Sequence, residues 1–589
     1  MGGTNGSASS NYGAGSSSIA TATTLADGSF SIALPLTCPT GFATAQTYIV
    51  ARGGNAGQGA NSAIGLLALS GPCNGLSSSS FVTVNELTTA AAAWALAQFS
   101  DATGQTVGAP ATNTTGLLNA ISLATGDLAI SLGTNSSDTG IPASFMPTAA
   151  QCSGASAPVN CGALEKLDTL ANVLAACVES AGPPSAQCQQ LFCGATLGAA
   201  WTGSSCSETP APTDTLFAAH QVATNPASNV STIFAVQEAS PPFQPSLGST
   251  PTDWTLALNF VGGGLSDPGS VAIDGQGNAW VADQANAIIE LGPTGKPISP
   301  STGFTGGGLN SPSGIAIDPS LNVWVTNFGN NSVSEYVPGK GFNGSGFAGG
   351  GLNEPVAIAF NATGSFWVAG YISGISEFNS SGSPVFGPST GGGLSGANAI
   401  AIDASGNIWV ANNANSSLSG FNSSGNALSG SPFSGGGLNS PWALAIDASG
   451  NIWVANAGNN SLSGFTSSGS AFSPKTTGYT GGGLNGPRAL AIDGSGNIWV
   501  SNFASESGNS VSEFNSSTGL AISPSTGYTG GGLAAPLGIA IDGSGNVWVA
   551  NFGNGGGTGS VSTFIGAARP VKTPLVAAFG DCGKTVCLP

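Results

Sequence analysis

Residues 441–465 read PWALAIDASGNIWVANAGNNSLSGF, and this stretch decides the fold. Ala443–Ile446 and Ile452–Ala455 are short runs of strand formers. The segment Asp447–Asn451 between them is a tight turn: an Asp side chain bonds backbone N–H groups ahead of it, and Gly450 accepts positive φ. Together they predict a hairpin. Leu462–Phe465 adds a third strand, and the segment before the next glycine triplet adds a fourth, weaker one.

The same unit recurs. Glycine triplets start at Gly262, Gly306, Gly349, Gly391, Gly435, Gly481 and Gly530. Tryptophans follow at 280, 324, 367, 409, 453, 499 and 548, spaced 44, 43, 42, 44, 46 and 49 residues apart. Four antiparallel strands in each repeat of about 44 residues make a propeller blade. One blade cannot bury both faces, so Trp453 and its equivalents are expected to wedge between neighbouring blades. Trp254, Leu256, Leu258 and Phe260 alternate on one face of the segment before the first copy. That segment is expected to complete the last blade and close a seven-bladed ring. An open or eight-bladed ring follows instead if Val230–Val236 also pairs.

Composition bounds the rest. Of 589 residues only 6% are charged, and 9 basic against 27 acidic residues leave a net charge of −18. Nucleic acid and anionic membrane surfaces need clustered Lys and Arg and are excluded as main partners. No stretch reaches the ~18 apolar residues of a membrane helix, so no membrane insertion is expected. The ten cysteines include no CxxC pair and point to disulfides in an oxidising compartment. Neighbour pairing would join 38–73, 152–161 and 582–587. Residues 1–18 have neither a basic start nor an apolar run, so no signal peptide is visible. The chain reads as a mature or shortened secreted or cell-surface protein; a cytosolic protein with reduced thiols is the alternative.

The repeated P-x-x-I-A-I-D-x-x-G-N-x-W-V-A-N units resemble those of NHL-repeat propellers. They are also similar to the streptogramin (virginiamycin B) lyase group. With VNELTTAAAAWALAQF, LANVLAACVES and PPFQPSLGSTPTDWTLAL from the N-terminal half, the chain resembles large secreted bacterial NHL-repeat proteins. The lyase resemblance implies a catalytic histidine in the propeller. The single histidine of the chain, His220, lies ahead of it and reads as an ordinary helix residue. Imidazole proton abstraction, a Ser-His-Asp triad and His-ligated zinc are therefore not expected there.

The fold expected is mainly β: a C-terminal seven-bladed β-propeller of four-stranded blades, behind a small β-sandwich-like module and a disulfide-tied helical region. The module spans 1–82, with Thr24–Ile32 and Thr47–Ala51 as strands, and resembles carboxypeptidase-regulatory or immunoglobulin-like modules. The helical region spans 83–228, with a helix capped by Asn85 and running through Phe99. Further helices are expected at Gly116–Leu132, Leu164–Val178, Ala186–Ala195 and Thr213–Val222. A linker covers 229–252, the propeller 253–566 and a tail 567–589.

The glycine triplets lack a following helix and a GxxxxGK[ST] pattern, so they read as turns and not phosphate loops. Asp274, Asp318, Asp403, Asp447, Asp493 and Asp542 offer one carboxylate per site, too few for calcium; they read as turn caps, with Asn361 in the third copy. The GGGLxxP loops and the loops after WVAN share one face. It would carry Asp283, Asn327, Gly370, Asn412, Asn456, Asn502 and Asn551 as a polar ring, with Phe328, Phe503 and Phe552. The residue after the loop proline position varies: Gly269, Ser313, Val356, Asn398, Trp442, Arg488 and Leu537. Trp442 and Arg488, in adjacent blades, form the expected ligand platform. Asp267, Asp283 and Glu354 are the candidate calcium or magnesium ligands; no other cofactor is implied. The leading functional expectation is a non-enzymatic extracellular propeller that binds a protein, peptide or glycan through its loop face. A structural surface protein and a metal-dependent lyase or lactonase-like enzyme are the alternatives.

Overall fold

The structure, a computed structural model, describes residues 20–26, 28–33, 38, 46–135, 137, 139, 141–143, 146–153, 158–553 and 559–573. Two compact units divide it: residues 1–256 with 565–567, and 257–564 with 568–589.

In the first unit, Gln46–Arg52 pairs antiparallel with Gly65–Pro72. The helix Glu86–Ala95 packs on the second of these strands. Asn85 starts that helix with a reciprocal cap: its side chain accepts from Thr88 N, and Thr88 Oγ1 receives the Asn85 N–H. Thr89 Oγ1 accepts the N–H of Leu67, which fixes helix against strand. A helix occupies the place where a sandwich would put its second sheet, and Thr24–Ile32 is not a strand among the described residues.

The remaining helices follow the expected positions with shifted ends. They are Thr114–Leu123, Cys161–Val178, Ala186–Gly194 and Thr215–Thr224. The first stops early because the chain enters a π turn at Ala124–Leu128 and then a strand. Val230–Phe234 is a short helix, so it adds no eighth blade. Disulfides join Cys38–Cys73, Cys152–Cys161, Cys177–Cys188 and Cys193–Cys206. The first two are the expected neighbour pairs; Cys582 and Cys587 lie outside the described residues.

The second unit is a seven-bladed propeller. Each blade contributes an inner strand, from Pro268–Ile273 in the first to Pro536–Ile541 in the seventh. Successive inner strands lie against one another, and the seventh lies against the first. The second strands are uniformly buried, as in Ile452–Asn456. The fourth strand is weakest: blades one, four and five reduce it to bridges such as Ile288↔Phe304, Leu418↔Phe433 and Leu462↔Tyr479. Ala257–Phe260 supplies the outer strand of blade seven by pairing with Val561–Phe564. The ring is thus closed by a strand that precedes all seven copies.

The Asp of each hairpin turn does two jobs. Asp447 Oδ1 accepts the N–H groups of Ser449 and Asn451 at 2.9 Å. Its Oδ2 accepts from Asn451 Nδ2 at 2.9 Å and from the indole of Trp453 at 3.1 Å. The D-x-x-G-N-x-W spacing therefore supplies a turn cap and a partner for a buried indole N–H.

Candidate functional site

The loop face is held by a second network. Asn456 donates from Nδ2 to Ser461 Oγ and Ser463 Oγ at 3.1 and 2.8 Å, and its Oδ1 accepts Asn439 N at 3.2 Å. Asn327, Asn412, Asn502 and Asn551 repeat these bonds in their own blades. All five are 0% exposed. The expected polar ring thus offers nothing to a ligand; Asn327, Asn456, Asn502 and Asn551 anchor the GGGL loops from inside. The blades are also latched to each other. Asn286 Oδ1 accepts Ser311 N at 2.7 Å, Asn331 Oδ1 accepts Glu354 N at 2.8 Å and Asn460 Oδ1 accepts Gly486 N at 2.7 Å. Each acceptor belongs to the blade before. The bonded residues Ser311, Glu354 and Gly486 hold φ of 47°, 52° and 56°. Glycine at 486 meets that demand without strain.

The candidate metal ligands do not converge. Asp283 is buried and binds the backbone N–H groups of Ser266, Asp267 and Ala285. Burial pushes its carboxyl up, and those N–H bonds oppose the push. Asp267 and Glu354 occupy the same loop position in blades one and three, with blade two between them. Among the described residues no group of three His, Cys, Asp or Glu side chains is placed to hold a metal. His220 is buried in the helix Thr215–Thr224, and burial pulls its imidazole down to about 4.

Trp442 and Arg488 do come together. The Arg488 guanidinium carbon lies 3.6 Å from the centroid of the Trp442 ring and 4.7 Å from that of Phe503. Phe503 is only 8% exposed, so it backs the guanidinium and does not face solvent. Asn398 Nδ2 donates to the Trp442 carbonyl at 2.9 Å, tying a third blade to the same spot. Arg488 makes no ion pair among the described residues; the one salt bridge there is Lys166–Asp253. Its Nε is buried without a partner, and desolvation lowers its pKa.

The NHL repeat family model matches residues 309–336 and 438–465. Blades two and five carry NHL repeats. The matched segments run from the loop leucine to the end of the third strand in blades two and five. No curated protein matches the chain. Among solved structures, a streptogramin B lyase is 17% identical, with 52% of this chain and 97% of that chain covered and a TM-score of 0.41. Virginiamycin B lyase from Staphylococcus aureus is 16% identical, with 53% and 98% covered and a TM-score of 0.41. The extracellular domain of a putative one component system from B. thetaiotaomicron is 18% identical, with 52% and 40% covered and a TM-score of 0.39.

One residue of the loop face escapes the sequence reading. Tyr371 occupies the position of Phe328, Phe503 and Phe552, after the last residue of the second strand. Its N–H donates to the Glu354 carbonyl as that of Phe328 does to Ser311. Tyr371 is 37% exposed and Phe328 40%, whereas Phe552 is half-buried. Alignment of the copies one residue further along would have found it.

The network gives a direct test of the anchoring role. Asn456→Ala takes a partner from the Asn439 backbone N–H and from the buried hydroxyls of Ser461 and Ser463. It should cost about 1–3 kcal/mol, the penalty for buried groups left unpaired. Denaturant unfolding measures it, and an unchanged midpoint would sink this account of the buried amides.

Proposed function

We propose that the chain is a non-enzymatic extracellular binding protein that takes a protein, peptide or glycan on the loop face of its NHL propeller. The observation that carries this reading is the Arg488 guanidinium held between Trp442 and Phe503, with no acidic partner in the described structure. A cation fixed against two rings loses little side-chain freedom when it binds, and Arg and Trp are the types that dominate binding hot spots. The four disulfides support an oxidising, extracellular setting.

The test uses arrays of immobilised peptides and glycans probed with the wild type and with Trp442→Ala/Arg488→Ala. Ligands retained by the wild type should lose at least tenfold in affinity with the variant, while its melting temperature stays within a few degrees. Equal binding by both proteins would remove this face from consideration.

A further inference from the structure

We propose that Arg488 seats the carboxylate of an acidic sugar in an otherwise neutral glycan, an inference that rests on the loop-face reading above. Arg488 Nε is its buried edge. The two Nη nitrogens have no bond to any described residue and are not among the buried unpartnered atoms, so this edge of the fork faces outward. Two parallel N–H groups on a planar guanidinium match the two oxygens of a carboxylate. The rings of Trp442 and Phe503 hold that plane in place before any ligand arrives.

The charge balance limits the ligand to sparse acidity. Arg488 is the sole cation among the residues that follow the loop proline position, held by proline in six copies and by Ala397 in the fourth; the others are Gly269, Ser313, Val356, Asn398, Trp442 and Leu537. The chain as a whole carries −18. A densely anionic polymer would be repelled, whereas one carboxylate set against one guanidinium is compensated.

The rest of the face suits a sugar better than an extended peptide. Extended peptides are held largely by main-chain bonds. Here the backbone donors are already engaged: the N–H groups of Gln284, Phe328, Tyr371 and Phe503 bond the carbonyls of Asp267, Ser311, Glu354 and Gly486. What remains are side chains. Phe328 and Tyr371 expose ring surface, and Gln284 exposes an amide. Asn398 keeps an Oδ1 that accepts from no described residue. Rings cover the C–H face of a pyranose, and amides bond its hydroxyls.

The experiment is an array of neutral oligosaccharides, each matched to a counterpart carrying one uronic acid, with acidic peptides on the same surface. The full chain is compared with Arg488→Gln and Arg488→Lys, each checked for an unaltered melt. The expected result is at least tenfold preference for a uronate member over its neutral partner. That preference should vanish in Arg488→Gln and shrink in Arg488→Lys, which keeps the charge and loses the fork. Equal binding of matched pairs, retention by acidic peptides alone, or no bound member would overturn the carboxylate assignment. The broader loop-face reading fails separately, if binding survives in Trp442→Ala/Arg488→Ala.

Discussion

Trp453→Ala should destabilise the propeller by about 3–5 kcal/mol, the range for removing a buried aromatic side chain and leaving a cavity. Trp453 is 0% exposed and packs with Leu490, Ile498, Val500 and Phe514 of the following blade. Its ring centroid also lies 5.3 Å from that of Phe472 and 5.8 Å from that of Tyr479, at the outer edge of its own blade. The residue therefore cements an interface between blades as well as a sheet, and the rigid sheets on either side cannot collapse into the gap. Trp453→Phe should cost less, because it refills part of the volume and loses only the indole bond to Asp447. Trp442→Ala, eleven residues earlier in the same blade, should be far milder, since that ring is half-buried on the loop face. Denaturant midpoints of the three variants measure the contrast. A loss below about 1 kcal/mol for Trp453→Ala would contradict the wedge account.

That contrast also shows where the sequence was legible. The seven tryptophans at repeat positions announce shared burial by their spacing, and Trp442 stands out because six copies lack an aromatic there. The pairing of Trp442 with Arg488 could be read because both follow a loop proline in adjacent copies. The Asn residues were misplaced for a physical reason. A polar residue at a strand end reads as exposed, but Asn456 faces two serines across the hairpin and a loop N–H, and these satisfy it in the interior. The copies held a signal for this. Where Asn327 stands, the third strand supplies Ser332 and Ser334; where Asp283 stands, it supplies Ala287 and Ile289. An amide that disappears together with its two serines belongs to a network, not to a free surface. Asp267 and Glu354 sit on the rim of one loop face, but repeat equivalence places residues around a ring and not side by side. The N-terminal half has no repeat against which to check a reading. There the strand formers of Thr24–Ile32 misled, while the Asn85 cap, a local and chemically specific signal, was correct.

The propeller should lose stability as pH rises from about 6.5 to about 8.5, and Glu513→Gln should remove a large part of that loss. Glu513 lies in the third strand of blade six and is 7% exposed. Burial pushes its carboxyl up to about 8; bonds from Tyr528 Oη and Asn497 Nδ2 oppose the push, and the nearby Asp493 adds to it. Glu290, at the same position in blade one, is pushed up to about 7 by burial, with Asp274 adding to the effect. Glu335 and Glu377 are raised by burial as well. An unfolded chain releases these protons near pH 4.3. The folded state therefore binds more protons than the unfolded state between there and about 8. The associated stability is fully present below the unfolded pKa and is lost as pH rises through the folded values. His220 runs the other way: its neutral, buried form contributes stability above pH 6.5 that falls away towards about 4. The interval from about 6.5 to about 8.5 thus belongs to the carboxyls. Glutamine keeps an oxygen to accept from Asn497 and carries no charge at any pH in this range. A tenfold change in proton affinity is worth about 1.4 kcal/mol, so Glu513→Gln should gain a few kcal/mol over wild type at pH 8.5. The difference should shrink as pH falls from about 8 and close only near the unfolded pKa of about 4.3. Calorimetric melts across the interval decide it. A flat wild-type profile, or a Glu513→Gln variant that melts lower than wild type at pH 8.5, would show that the strand carboxyls are ionised in the folded blade.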